Sequence, residues 1–338
     1  MFCGDNAQGK TNALEGIYLM AQGRSFRTVR EKDMIRFGQE QSAVKLWFSQ
    51  DGEISTLEMR LFANGKRQCF FNGVPLRRLS EFIGHFRAVV FCPEHLSIVK
   101  DGPSVRRSFL DMALSQFSPV YLHTLQEYGK ILSQRNAMLK QCREYSMQFA
   151  QIMEPWSVQL AERAEKISEQ RQVYLDRLQC YLTDIFADMT SGHEVPKLRY
   201  TDRKTKEEYL SLLQNNLERE IRQQITLYGI HRDDYEIRLN DREARLFASQ
   251  GQQRSIALAM KLSEGEISRD MTGQYPVFLL DDIFSELDAY RRSYITNGLK
   301  GRQVIITSCN EQQEKQNACW RVCGGKLYSD LPNKTNTM

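Results

Sequence analysis

No apolar run in this sequence approaches the ~20 residues that span a bilayer, which excludes a transmembrane helix. Neither a basic stretch nor an apolar core follows Met1-Phe2-Cys3, so no secretory signal is read and a cytoplasmic protein is expected. Charge of one sign is scarce: 46 Lys and Arg face 42 Asp and Glu, a formal net charge of +4. That balance excludes a strongly basic nucleic-acid coat protein, but not a local basic face offset by acidity elsewhere. No internal repeat and no low-complexity tract is present. None of the eight cysteines forms a C-x-x-C pair, and no histidine follows residue 231. Cys309, Cys319 and Cys323 cluster near the end but lack a local imidazole, so free thiols are expected rather than a metal site. What remains is a 338-residue chain, 41% hydrophobic and 26% charged. That is enough for about two globular domains and too apolar for a disordered chain.

Residues 10–22 read as a helix, with Leu14, Ile17, Tyr18 and Ala21 on one face. Residues 42–72 alternate apolar and polar between the turn pairs Asp51-Gly52, Asn64-Gly65 and Asn72-Gly73, which predicts an antiparallel meander. Residues 88–92 read as a short buried strand. From 103 to 189 turn signals thin out and helical periodicity takes over, and after Pro155 the apolar residues from Leu160 to Ile185 continue at 3.6-like spacing. Further on, 195–200 reads as a strand and 206–227 as a helix. A hairpin is expected from 235–240 and 243–247 around Asn240-Asp241. Then come a helix at 250–269, a buried strand at 277–280, a helix at 289–300 and a buried strand at 303–307. Strands alternating with helices predict a parallel α/β core.

Three motifs carry chemistry. Gly4-Asp5-Asn6-Ala7-Gln8-Gly9-Lys10-Thr11 fits G-x-x-x-x-G-K-[ST]. In that pattern backbone N–H groups close around phosphate oxygens, the lysine reaches the β- and γ-phosphates, and the threonine hydroxyl ligates Mg²⁺. The alternative is a glycine-rich turn capping a helix. The second motif is Pro276 to Asp282, four apolar residues and then two carboxylates at the C-terminal end of a strand, where open α/β sheets bind ligands. Asp281 is the candidate for orienting the metal and Asp282 for activating water. The third is Ala248-Ser249-Gln250-Gly251-Gln252-Gln253-Arg254-Ser255, a hydroxyl and a glycine at a helix start. It reads either as a second phosphate-binding element, which two chains facing head to tail would use, or as a helix cap.

The P-loop, the Ser-x-Gly-Gln helix start and the acidic strand end followed by Ser285-Glu286-Leu287-Asp288 together resemble an ABC-type ATPase head. His231-Arg232-Asp233-Asp234, Phe91 to Leu96, Pro103 to Asp111 and the stretch from Leu280 to Asp288 narrow the likeness to the bacterial RecF family. The resemblance implies an α/β, ABC-type P-loop ATPase head with a β-rich lobe and an inserted helical arm. The parts would be lobe I at 1–115, the arm at 116–190, lobe II at 191–330 and a tail at 331–338. It implies that Gly4, Asp5, Asn6, Ala7, Gln8, Gly9, Lys10, Thr11 and Asn12 bind ATP, with Thr11 and Asp281 on Mg²⁺. Ser249, Gly251, Gln252 and Asp288 would complete the site on the facing subunit of an ATP-dependent homodimer, with Asp282, Lys10 and Ser249 as the catalytic set. It further implies weak, DNA-dependent ATP hydrolysis, binding to gapped DNA, and RecA loading with RecO and RecR. Two other readings share parts of the pattern: another SMC-like ATPase, or a DNA-binding scaffold with an impaired ATPase core.

The sequence departs from the family pattern in places. Asp282 stands where transporter-type heads carry Glu. Thr307-Ser308 stands where a switch histidine is expected. Ile230 replaces the usual proline, and Phe91 to Leu96 offers no Q-loop glutamine. Family heads also carry an opening pair of strands before the loop, so N-terminal strands are expected to be missing here. Between Arg60 and Arg107 there are nine Lys or Arg and three acids, whereas 120–190 holds eight basic and nine acidic residues. A DNA backbone is therefore expected at the β-rich lobe, through Arg60, Lys66, Arg67, Arg77 and Arg78.

Overall fold

In a computed structural model the described residues are 1–28, 30–190, 192, 194–201, 203–309 and 319–329, with only the backbone at 94, 96, 285 and 286. The expected tail, 331–338, lies outside them. In chain order the elements are β1 Phe2–Cys3, α1 Lys10–Gln22, β2 Gln41–Gln50, β3 Glu53–Phe62, β4 Arg67–Phe71, β5 Val74–Leu76, α2 Leu79–Phe82 and β6 Ala88–Phe91. The helices α3 Pro103–Phe117, α4 Pro119–Gln141 and α5 Met147–Thr190 follow. Next are β7 Pro196–Tyr200, α6 Lys206–Asn215, α7 Leu217–Gln223, β8 Tyr235–Leu239, β9 Arg242–Glu243, α8 Ala244–Phe247 and α9 Gln250–Thr272. The chain continues through β10 Val277–Asp281, α10 Ala289–Gly298, β11 Val304–Ser308, β12 Trp320–Cys323 and β13 Lys326–Ser329.

Two compact units result: Met1–Leu96 with Glu264–Met338, and Ser97–Ser263. The division falls between Leu96 and Ser97 and, inside α9, between Ser263 and Glu264, whereas the boundaries expected from the sequence are 115/116 and 190/191. The first unit holds a six-stranded sheet in the order β13-β12-β1-β11-β10-β6, parallel except for the β12–β13 hairpin. β6 and β10 are buried along their whole length, as a parallel strand covered on both faces must be. α1 packs on β6, β10 and β11. In α9, Gly265 is required by the sheet, since a Cβ there would meet the ring of Phe278 at 2.5 Å. The expected meander is present as β2-β3-β4-β5, antiparallel throughout.

The second unit packs α3, α4, α5 and α6 around one another, with the three-stranded sheet β7-β8-β9 against α5. α5 begins at Met147 and carries Pro155 in its interior. The two turns before the proline are held by burial: Met153 packs with Leu139, Leu217 and Ile221, and Phe149 and Ala150 pack on that cluster. This apolar packing outweighs the missing backbone donor. The helix expected over 206–227 is two helices, broken at Asn216 so that Leu217 and Ile221 can turn into the same cluster. The expected hairpin partner at 243–247 is a strand only over Arg242–Glu243. Ala244 is buried and starts the short α8, leaving Leu246 and Phe247 exposed.

The expectation of eight free thiols fails at one pair. β1 lies parallel to β12, with Phe2 opposite Trp320, and this brings Cys3 to Cys319, which form a disulfide. Cys69 and Cys92 are free and buried, and Cys309 and Cys323 free and exposed. Among the described residues no group of three or more His, Cys, Asp or Glu could hold a metal. No helix among them is long and apolar enough to cross a membrane.

Candidate functional site

Three neighbouring parallel strands set the site. β1 ends at Cys3, which pairs with Ser308 at the end of β11, and Thr307 of β11 pairs with Asp281 at the end of β10. All three strands point their C-terminal ends the same way, so the loop after β1 and the side chains of Asp281 and Thr307 share one edge of the sheet. From Gly4 to Gly9 the backbone runs through positive φ at Gly4 (146°), Ala7 (62°) and Gly9 (103°). At Gly4 no other residue fits, because a Cβ would stand 2.4 Å from the Val322 carbonyl oxygen. The loop opens directly into the N-terminus of α1, where orphan N–H groups and the helix dipole favour an anion.

Lys10 is 8% exposed and folds back into this loop. Its Nζ donates to the carbonyls of Gly4 at 2.6 Å and Asp5 at 2.9 Å, and lies 3.5 Å from Cys309 Sγ. Thr11 Oγ1 donates to Asp281 Oδ1 at 2.9 Å. The same carboxylate oxygen accepts a bond from Thr307 Oγ1 at 2.8 Å, and Thr307 Oγ1 in turn accepts the Asp282 N–H at 3.0 Å. Asp281 is buried, whereas Asp282 is exposed in a left-handed conformation with φ of 49°.

The remaining predicted loop residues have partners of their own. Asn6 Oδ1 accepts from Cys309 Sγ at 2.8 Å. Gln8 is held by the tip of the β12–β13 hairpin: Gly324 N–H donates to its Oε1 at 2.8 Å and Gly325 N–H to its backbone oxygen at 2.9 Å. Asn12 Oδ1 accepts from Arg27 at 2.9 Å, at the edge of the Ser25–Glu15 pair. Asp288 caps α10 by accepting the Arg291 N–H at 2.8 Å, and that bond, with the Arg291 guanidinium, holds its carboxyl below the usual range. Sequence reasoning missed Cys309, Arg27 and the Gly324-Gly325 turn. Only the last had a local signal, a glycine pair between β-type runs.

Ser249, Gly251 and Gln252 stand in the other compact unit, at the start of α9. Ser249 N–H donates to Gln252 Oε1 at 2.6 Å and Gln252 N–H to Ser249 Oγ at 3.2 Å, a reciprocal capping box. Gln252 also bonds Glu194. Ser249 is nevertheless exposed.

The His231 to Asp234 block is a structural knot of that second unit. Arg106 grips Asp234 with two bonds of 2.8 and 2.7 Å, and Arg107 donates to the Asp233 carbonyl at 2.7 Å. Asp233 accepts from Tyr200 at 2.5 Å, and burial raises its pKa. His231 Nε2 donates to the Thr226 carbonyl at 3.1 Å and Nδ1 accepts from Tyr128 at 2.7 Å, while burial lowers its pKa to about 4. Arg106 and Arg107, part of the basic excess counted in the sequence, are therefore committed to protein partners. All five basic residues placed at the β-rich lobe, Arg60, Lys66, Arg67, Arg77 and Arg78, are exposed, and two of them also pair with acids. Arg60 pairs with Glu58 at 2.6 Å and lies over the Phe70 ring, and Arg67 pairs with Glu31 and donates to the Gly23 carbonyl at 3.1 Å.

Comparison with known proteins agrees with this arrangement. The family model for the RecF/RecN/SMC N-terminal domain matches residues 1–325. A DNA replication and repair protein RecF of Clostridium perfringens is 34% identical, over 97% of this chain and 92% of its own. Its counterpart in Clostridium botulinum is 36% identical over the same shares. The chain belongs to the RecF family. Solved structures of the recombination mediator protein RecF, as RecF-ATPrS and RecF-ATP in the RecFOR pathway, superpose with TM-scores of 0.89 and 0.91 at 33% identity, over 97% of this chain and 91% and 90% of theirs. A Pyrococcus furiosus Smc head shares the fold at a TM-score of 0.52 and 15% identity. The fold expected from the sequence, an ABC-type ATPase head of mixed α/β type, is the RecF fold.

Proposed function

We infer that this chain is an ATP-dependent DNA-binding protein of recombinational repair and replication-fork maintenance. The observation that carries the reading is the bond between Thr11 and Asp281, which closes the P-loop onto the acidic strand end. A hydroxyl and a carboxylate side by side are hard oxygen donors, and they fit Mg²⁺, which takes one or two carboxylates with phosphates and waters. Bound there with ATP, the ion supplies neutralisation of phosphate charge. Lys10 exchanges its two loop carbonyls for phosphate oxygens, a stronger charge-assisted pairing. The loop N–H groups and the α1 N-terminus bind the phosphates, and Asp282 orients and polarises the attacking water.

Ser249 and Gly251 complete the nucleotide site in trans, with Gln252 and Asp288 at the same dimer interface. The exposure of Ser249 at a capped helix start supports this, since its hydroxyl can add a bond to an anion while the cap persists. Two chains then sandwich two nucleotides and clamp DNA, and slow hydrolysis releases it. RecO and RecR are the partners, in RecA loading in the cytoplasm; the RecFOR pathway named for the solved RecF structures supports the RecO and RecR part of this reading. The exposed basic lobe touches the DNA backbone, chiefly through Lys66, Arg77 and Arg78, and also through Arg60 and Arg67, which share their charge with Glu58 and Glu31. Binding of a gapped duplex and an intact duplex, each with and without ATP and Mg²⁺, tests the reading. Preference for the gapped DNA only with ATP supports it. Equal binding without nucleotide contradicts it.

A further inference from the structure

Thr307 stands where the family of ATPase heads leads one to look for a switch histidine, and its surroundings give it a different task. It is 3% exposed, so its hydroxyl is spent on protein partners. It sits on β11 directly beside Asp281 of β10 in register. One oxygen serves two residues: it donates to Asp281 Oδ1 at 2.8 Å and accepts the Asp282 N–H at 3.0 Å. The first bond takes up one lone pair of the oxygen that also accepts from Thr11, and so fixes the carboxylate plane. The second anchors the peptide that enters a left-handed residue, a conformation costing ~1 kcal/mol for a non-glycine side chain.

We propose that Thr307 is a positioning residue that sets the Asp281 carboxylate for Mg²⁺ and, through the same hydroxyl, the backbone that carries Asp282. This rests on the ATP reading of the site. The hydroxyl acts through the two aspartates. A β-branched residue suits this place, because χ1 on a strand is stiff and the donor direction is held without further support.

The test uses the full chain, with Thr307→Val and Thr307→Ser. Valine keeps the shape and removes the donor and acceptor; serine restores both. A fluorescent ATP analogue is titrated in EDTA, and then the Mg²⁺ needed for half of the metal-dependent signal is measured. For Thr307→Val the half-saturating Mg²⁺ is expected to rise about ten- to a hundredfold with metal-free binding unchanged, and Thr307→Ser is expected to return it to within about twofold of the parent, in line with the worth of one hydrogen bond to a charged metal ligand. An unchanged Mg²⁺ requirement in Thr307→Val overturns the proposal. So does a serine variant that behaves like valine, or a valine variant whose metal-free binding and melting temperature fall together. If the parent chain binds no nucleotide in either condition, the ATP reading fails and this role fails with it; if it binds normally and only the valine effect is missing, the ATP reading stands.

Discussion

Thr11 and Asp281 lie 270 residues apart in sequence and share a hydrogen bond of 2.9 Å. That bond joins the first turn of α1 to the last residue of β10 and defines the centre of the site. The parallel register of β1, β11 and β10 makes it possible, since the strands bring their ends to one edge.

Lys10 is the cation of that centre. Replacing it with alanine removes the charge that would bind the β- and γ-phosphates. ATP affinity of Lys10→Ala is expected to fall about 10- to 100-fold, the worth of one or two charge-assisted bonds. Isothermal titration with ATP and Mg²⁺ measures it. An affinity within twofold of the parent would remove Lys10 from the nucleotide site.

The basic lobe makes a separate prediction. Lys66, Arg77 and Arg78 are exposed, while Arg106 is buried against Asp234. Changing the first three together to alanine is expected to weaken DNA binding and to flatten the dependence of log affinity on log salt by about two to three, one for each phosphate no longer neutralised. The melting temperature stays within a few degrees. Arg106→Ala is expected to lower the melting temperature instead, because it strands the Asp234 carboxylate. A triple variant with the parent's salt slope would place DNA elsewhere.

His231 predicts a pH dependence of stability. Burial holds its folded pKa at about 4, against an ordinary value of 6.5. Above 6.5 the ring is neutral in both folded and unfolded chains. As pH falls from 6.5 to 4 the unfolded chain takes up a proton that the folded chain refuses, so stability is lost across that window. The arginines Arg232, Arg107 and Arg135 also disfavour the charged ring, and Tyr128 holds Nδ1 as an acceptor. Buried Asp233 and Glu220 run the other way, their raised pKa values favouring the folded chain in acid. Comparison with His231→Gln isolates the histidine: the stability gap between the two proteins should change in the variant's favour by ~1–3 kcal/mol between pH 7 and pH 4.5 in urea unfolding. A gap that stays constant would show that the ring does not titrate as its surroundings require.

Much of this site is legible in the sequence because its strongest signals are local. The P-loop is eight consecutive residues, and the buried run before Asp281 sits next to its own carboxylates. The meander is equally legible from its turn pairs and alternation. The partners that hold the loop are not. Cys309 meets Asn6 across 303 residues and Gly324 meets Gln8 across 316, and no local pattern encodes such pairings. Thr307 is visible in the sequence only as the residue in place of a histidine, since its role depends on strand register. The basic count misleads at Arg106 and Arg107, because charge in a sequence says nothing of which side chains are buried in pairs. Pro155 inside α5 is equally illegible: proline disfavours a helix interior, and only the apolar cluster around Met153 explains why the helix runs through it.

In the proposed mechanism two chains close around ATP through Ser249. Sedimentation velocity of the parent, Ser249→Ala and Lys10→Ala with ATP and Mg²⁺ tests it most directly. The parent should dimerise only with nucleotide. Lys10→Ala should stay monomeric at ATP concentrations that saturate the parent but not the weakened variant. Ser249→Ala should bind ATP near the parent's affinity, lose no more than ~1 kcal/mol of stability from the missing cap, and remain a monomer. A Ser249→Ala protein that dimerises with ATP as the parent does would contradict the account.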